Sequence, residues 1–523
     1  MALFRSVATV GGYTLASRLL GFVRDVLSAA IMGAGTVADA FFVAQLLPNL
    51  FRRLFAEGAF NAAFVPLFAR HLEREGKVSA AAFAEQVLSV LLAVLLVFVC
   101  AVQIVMPVAI LMLAPGFAHE PGKQELVVAL TRLTFPYLLF ISLVSLLGGV
   151  LNSLHRFAAA AATPILFNAC IIAALIFAAP HLPTPGHAMA WGLTLSGILQ
   201  FLWLIEACRR EGIRFRLPRP RLTPEVKALM ALMLPAALGA GVTQINLVVN
   251  QVIASFLPSG SISYLYYADR LMELPIGVIG IALGTALLPL LSRQLAARQE
   301  TQAMNSMNRA LELGLLLTLP AATALIAIPF TLVSVLFQRG AFGAMETQAT
   351  AWALVAYASG LPAFVLIRVL TPGFYARHDT RTPVRFAVVT VIVNLALNVT
   401  LMFWLRHVGL ALSLSLSTWL QAALLAITLH RRGHWRADAR LISRAPRSLV
   451  AAVAMAGGVL LAQGWLAPFL LRPDTLRYAA LGALVGAGGA LYAVLAQVTG
   501  AATVGEVLRQ MRRAPGESPR QAG

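Results

Sequence analysis

Charge is what this chain has least of: 12% of its 523 residues are charged and 59% are hydrophobic, where soluble domains average about 25% and about 45–50%. A chain so composed cannot cover itself with polar surface, which excludes a soluble globular protein and makes lipid its solvent. Cysteine is scarce too. Cys100, Cys170 and Cys208 are scattered along apolar or juxtamembrane segments, so neither a disulfide framework nor a metal knuckle is expected. No Gly-rich loop ends in Lys-Ser/Thr, and none of the nine histidines stands in H-E-x-x-H spacing. Neither ATP hydrolysis nor zinc chemistry is therefore indicated, and the chain is expected to be no enzyme and to hold no cofactor. Acidic residues number 21 against 40 basic ones, a net charge of +19. Such a surplus can mark a nucleic-acid binder, but here the basic residues concentrate in every second loop, as membrane topology demands, and no nucleic-acid partner is expected. A cleavable leader is not expected either. Apolar character runs from Ala2 to Met32, well beyond the about 7–15 apolar residues of a signal peptide.

What the chain does have is a series of runs near the about 20 apolar residues that a helix needs to cross a bilayer core. They fall at 4–32, 38–68, 84–112, 126–150, 158–179, 187–207, 227–256, 263–292, 308–336, 347–375, 384–404, 408–429, 448–467 and 477–499. Fourteen membrane spans and an all-α polytopic fold are the expectation. The loops HLEREGK (71–77), CRREGIRFRLPRPRL (208–222), ARHDTRTPVR (376–385) and HRRGHWRADARLISRAPR (430–447) are rich in Arg and Lys, whereas PHLPTPGH (180–187) and FLPSGS (256–261) carry neither. Excess Lys/Arg marks the cytoplasmic side, which places both termini inside, as an even number of spans requires.

The chain also resembles itself at an offset near 223 residues. AFVPLFARHL (63–72) aligns with ALLPLLSRQL (286–295), MPVAILMLAPGF (106–117) with IPFTLVSVLFQRGAF (328–342), and Thr163-Pro164 with Thr382-Pro383. Several matches in order indicate a duplication. Each unit holds six spans, so both insert with the same orientation and should be related by a pseudo-two-fold axis along the membrane normal. The expected organisation is an N-lobe at 1–222, a C-lobe at 223–432, two extra helices at 433–500 and a basic cytoplasmic tail at 501–523. Paired repeats of this kind suit alternating access around a site between them. GALVGAGG (482–489), in the last span, reads as close helix packing.

Three spans carry charges that lipid would not tolerate. The first holds Arg18, Arg24 and Asp25. The second holds Asp39, Asn49, Arg52, Arg53 and Glu57, and the eighth holds Asp269, Arg270 and Glu273. A charge at the bilayer centre costs at least about 2.5–3.5 kcal/mol and so faces a partner or a cavity. Local pairs dispose of some: Arg53 with Glu57, Arg270 with Glu273, Arg24 with Asp25 or Asp39. A basic surplus remains in the first two spans, and none of the three contains lysine. Guanidinium groups bind phosphate bidentately, so the surplus favours an anionic substrate. An exporter of cationic compounds would want carboxylates instead.

SRLLGFVRD (17–25), ADAFFVAQLLPNLFRRLFAEGAFNAAFVPLF (38–68) and FYARHDTRTPV (374–384) resemble the MurJ (MviN) lipid II flippase family of the MOP exporter superfamily, and the likeness extends over nearly the whole chain. The resemblance implies that lipid II, a polyprenyl pyrophosphate carrying a disaccharide-pentapeptide, is moved from the cytoplasmic to the periplasmic leaflet of the bacterial inner membrane for peptidoglycan synthesis. It implies that Arg18, Arg24, Asp39, Arg52 and Arg270 act in the cavity, and that the last two spans form a groove for the lipid tail. Besides lipid II and membrane lipids, the cell-wall synthesis machinery is a candidate partner. Some members bind sodium among helices 7, 11 and 12. Here those spans offer Asn394 and Asn398 but no intramembrane carboxylate beyond the end of helix 7. Membrane potential, with or without a coupled ion, is the expected energy source. The competing reading is an ion-coupled exporter of small molecules or of other lipid-linked oligosaccharides.

Overall fold

The computed structural model describes residues 2–53, 59–470, 472 and 474–502. Among them the fold is helical throughout, with no β-strand beyond an isolated bridge between Arg339 and Phe342. The first compact unit comprises residues 1–263 and 339–343. It contains α1 (Ala2–Met32), α2 (Thr36–Phe51), α3 (Ala59–Leu113), α4 (Lys123–Thr134), α5 (Tyr137–Ser153), α6 (Phe157–Ala173), α7 (Pro185–Arg210) and α8 (Pro224–Ser255). Here α1 packs on α6, α2 on α4, and α3 on both α5 and α8. The contact with α3 draws α8 into this unit.

The second unit comprises 264–338 and 344–523. It takes most of α9 (Ser261–Pro275), then α10 (Ile281–Ala296), α11 (Glu300–Ala327), α12 (Pro329–Phe337), α13 (Ala344–Ala358), α14 (Leu361–Tyr375), α15 (Arg381–Arg431), α16 (Ala439–Leu470) and α17 (Leu476–Val498). One core joins α11 and α12 to α16 and α17 through Leu316, Leu332, Met455, Val459, Leu484 and Tyr492. The Tyr492 hydroxyl, inside that apolar cluster, donates to the Leu316 carbonyl at 2.8 Å. The small-residue run in α17 serves packing at Gly488, where a Cβ would lie 2.9 Å from Val459.

Among the described residues nine helical stretches are long and apolar enough to cross a membrane, so the all-α multi-pass class stands while a count of fourteen is not established. Two of the nine are each a pair of helices that meet at a kink, where the sequence also divides them. In α3 the break is Gly76, at φ 83 and ψ 179 inside the polar HLEREGKVS stretch. In α15 it is Arg406, at φ 50. The eighth run is likewise divided, α9 ending at Pro275 and passing through a widened turn at Ile276–Gly280 into α10.

The aligned segments APGF and QRGAF make equivalent contacts. Gly116 sits so close to the end of α8 that a Cβ would lie 2.2 Å from the Ser255 carbonyl oxygen. Gly340 sits on the end of α1, where a Cβ would lie 2.2 Å from the Ala30 carbonyl oxygen, and the Ala341 amide donates to that same oxygen at 2.8 Å. Gly340 follows Gly116 by 224 residues and Ser255 follows Ala30 by 225, the offset of the internal repeat. In each case a glycine loop of one copy closes on the first helix of the other.

Gly340 also has φ +55, a left-handed conformation that a Cβ disfavours. Gly340→Ala should therefore destabilise the detergent-solubilised protein by about 1–3 kcal/mol, lowering its thermal unfolding midpoint. Gly457→Ala, which meets nothing within 4 Å, should leave the midpoint where it is.

Candidate substrate site

Arg24 and Asp25 lie where α1 meets α6. The guanidinium donates from Nε and Nη2 to Asp25 Oδ1 at 3.1 and 2.8 Å and from Nη1 to Asn168 Oδ1 at 3.0 Å. Its Cζ stands 5.5 Å from the centre of the Phe167 ring. Asn168 is oriented in turn by Nδ2, which donates to the Ser17 and Pro164 carbonyls at 3.0 Å each. Gly21 faces the Asn168 amide, and a Cβ there would meet it at an ordinary contact distance of 3.6 Å. Pro164 lacks the N–H that would bond the Ala160 carbonyl, and the Thr163 hydroxyl supplies a donor to that carbonyl at 2.8 Å. The Arg24 side chain keeps 14% exposure, so the cluster is held firmly yet not sealed.

Arg52 donates from Nε to Asn49 Oδ1 at 3.2 Å. It borders a cavity of about 200 Å³ whose polar wall also includes Asn61, Ser145, Asn152 and Thr163. A guanidinium and several amide and hydroxyl donors around a small volume form a lining suited to phosphate oxygens. Arg18 and Arg53 are exposed, and Glu57, the expected partner of Arg53, lies outside the described residues. In the second unit Arg270 pairs with Glu273 at 2.7 Å and stacks 4.7 Å from the Tyr266 ring centre. The pairs Arg24–Asp25 and Arg270–Glu273 are thus formed, whereas the alternative pair Arg24–Asp39 is not.

Asp39 has other business. It is 1% exposed and accepts from the Gly260 and Ser263 amides at 2.7 and 2.9 Å and from the Ser263 hydroxyl at 2.6 Å. A carboxylate of α2 thereby caps the N-terminus of α9, where helix dipole and unbonded amides favour an anion. Lys123, also 1% exposed, reaches Asp39 at 3.4 Å, Glu120 at 3.1 Å and the Ser259 hydroxyl at 2.6 Å, and its ammonium lies 4.1 Å from the Phe117 ring centre. Three partners match its three N–H donors. Although the sequence groups Asp39 with the cavity charges, this structure closes it into a protein-lined clasp.

The three charged spans contain no lysine, yet the start of α4 brings Lys123 to the second of them. Nothing in GKQEL announced that, because the residue is ordinary at the start of a helix. Asn168 did leave a signal, as a lone amide inside the apolar run PILFNACII.

The profile of a family described as lipid II flippase MurJ matches residues 28–469. The chain belongs to that family. A probable lipid II flippase MurJ of Rhizobium meliloti (strain 1021) is 45% identical over 519 residues, covering 98% of this chain and 97% of the relative. Among solved structures, a lipid II flippase MurJ in an inward closed conformation superposes with TM-score 0.77 at 24% identity, over 96% of this chain and 99% of the other. An inward-facing multidrug resistance MATE family transporter of the MOP superfamily superposes with TM-score 0.64 at 15% identity, over 80% and 94%. At these identities the two structures speak for the fold alone.

The MurJ-like string FYARHDTRTPV builds a corner of the second unit. Arg377 pairs with Glu300 at 2.6 Å, and Asp379 accepts from the Thr382 amide at 3.0 Å and from Arg432 at 2.6 Å. The Thr382 hydroxyl and amide first, then the Arg432 guanidinium, hold the Asp379 carboxyl below the usual carboxylate range. Its conformational role is a cap on α15.

Breaking a buried ion pair by removing one partner costs about 3–5 kcal/mol. Asp39→Asn and Lys123→Met should each lower the thermal midpoint sharply. The double variant should lose less than the sum, and a double-mutant cycle on purified protein measures that coupling.

Proposed function

We propose that this chain is a flippase for lipid II, carrying it from the cytoplasmic to the periplasmic leaflet of the bacterial inner membrane with both termini cytoplasmic. Membership of the lipid II flippase MurJ family carries the reading. The charge pattern supports it: arginines without lysine in the three charged spans, one beside a small polar cavity and one fixed by a carboxylate and an amide. Arg18, Arg24, Arg52 and Arg270 hold the pyrophosphate, and alternating access delivers it outward. Asp25 and Glu273 keep Arg24 and Arg270 oriented and spare them the cost of an unpaired buried charge. Cell-wall synthesis enzymes that consume the product are the partners this role requires.

Depleting the protein should accumulate lipid II accessible from the cytoplasmic face only. Arg18→Ala, Arg24→Ala, Arg52→Ala and Arg270→Ala should each abolish complementation at normal protein level. The corresponding Lys variants should rescue poorly, because an ammonium cannot reproduce the bidentate fork. Full activity of the Lys variants would reduce these residues to bulk charge.

Membrane potential supplies the driving force in this reading. An inside-negative potential is worth about 2.3 kcal/mol per elementary charge per 100 mV. It draws the empty, arginine-rich cavity back towards the cytoplasm and opposes the pyrophosphate-neutralised one little. Asn394 and Asn398 on α15 bond each other at 3.2 Å and bring no carboxylate with which to hold a coupling cation. Collapsing the potential at constant proton and sodium gradients should stop flipping, and continued flipping would return the search to an ion site.

A further inference from the structure

Away from the charged spans, α3 and the first turns of α8 enclose a cleft of about 320 Å³ with apolar walls. Val87, Val90 and Leu91 line one side and Val226, Leu229 and Met233 the other. Its inner residues are buried, while Val94 and Met230 at the lip are 53% and 48% exposed.

The segment 213–222 passes the end of this cleft without helix or strand. Its backbone is tied to α3: the Arg216 amide donates to Glu85 Oε1 at 2.8 Å and Gln86 Nε2 donates to the Arg221 carbonyl at 2.7 Å. Glu85 and Gln86 immediately precede Val87. On the other side Thr223 caps α8 by accepting from the Val226 amide at 3.4 Å. The strap is thus fixed to both walls where the cleft begins, and Pro218 and Pro220 restrict its backbone. With the backbone held, the side chains of Arg214, Arg216, Arg219 and Arg221 are all exposed, and none makes an ion pair among the described residues.

We propose that cleft and strap together bind one anionic glycerophospholipid of the cytoplasmic leaflet, an acyl chain in the cleft and the phosphate on the strap arginines. The Lys/Arg bias puts the strap on the cytoplasmic side, and basic segments beside a membrane helix attract anionic headgroups. Lipid tails are as apolar as the cleft, so the cleft adds position rather than driving force. Selectivity lives in the guanidinium–phosphate contacts. An acidic peptide would satisfy the arginines but leave the cleft without an occupant matched to it.

Native mass spectrometry of the full chain in detergent tests this, with phosphatidylglycerol and phosphatidylcholine of identical chains as probes. Wild type should retain phosphatidylglycerol at least about tenfold better. The combined R214Q, R216Q, R219Q and R221Q substitutions should erase the preference. A charge-matched control, R381Q, R385Q, R431Q and R436Q, also at exposed positions, should keep it. Leu91→Trp, which fills the cleft and alters no charge, should lower phosphatidylglycerol retention severalfold. An undiminished preference in the strap variant, or equal loss in the control, overturns the proposal. Displacement of bound phosphatidylglycerol by a polyprenyl pyrophosphate lipid also overturns it, because the site would then belong to the transported substrate. If the strap variant does not fold, Leu91→Trp decides, and retention equal to wild type counts against the site.

Discussion

A charge taken out of water must be given partners, and the chain satisfies that rule most completely at Asp39. Desolvating an ion costs several kcal/mol even after relaxation, and the Asp39 carboxylate recovers it from two amides, a hydroxyl and the Lys123 ammonium. Asp39 stands on α2, and its partners come from the start of α4 and from the loop and first turn that open α9. Three separate stretches are therefore fixed by one carboxylate, and α9 receives its N-terminal anion from another helix.

Charges in this chain divide by how much solvent they keep. Asp39 and Lys123 keep almost none and act as framework. Arg24 and Arg270 keep 14% and 35% of their side-chain area and are paired with Asp25 and Glu273 on their own helices, which leaves them the partial access that the proposed substrate role needs. The strap arginines are exposed and are the groups proposed to meet a lipid phosphate. Arginine thus stands in two of these settings, and burial separates all three.

The helical class and the internal duplication were legible in the sequence because a bilayer imposes long apolar runs and because a duplication leaves matched strings. The pairs Arg24–Asp25 and Arg270–Glu273 were legible for a related reason, since neighbours on one helix are close whatever the tertiary fold. The Asp39–Lys123 pair was not, as its members are 84 residues apart and no periodicity links them. The breaks within α3 and α15 were legible: Gly76 lies in the polar stretch between the runs 38–68 and 84–112, and Arg406 between 384–404 and 408–429. For Asn168 the signal existed, but its partner Arg24 lies 144 residues away and only folding could name it.

The reciprocal glycine contacts bear on how the chain is made. The end of α1 is completed by Gly340 and Ala341, which reach the ribosome exit about 300 residues later, an interval of about 15–60 s at ordinary synthesis rates of about 5–20 residues per second. Through that interval the N-terminal copy sits in the bilayer with the Ala30 carbonyl lacking the donor it will finally accept, while the loop bearing Gly116 waits for α8. Each helix end is completed only after the other copy's segment has been made, so the order of synthesis leaves the last packing of both ends to a late step of biogenesis.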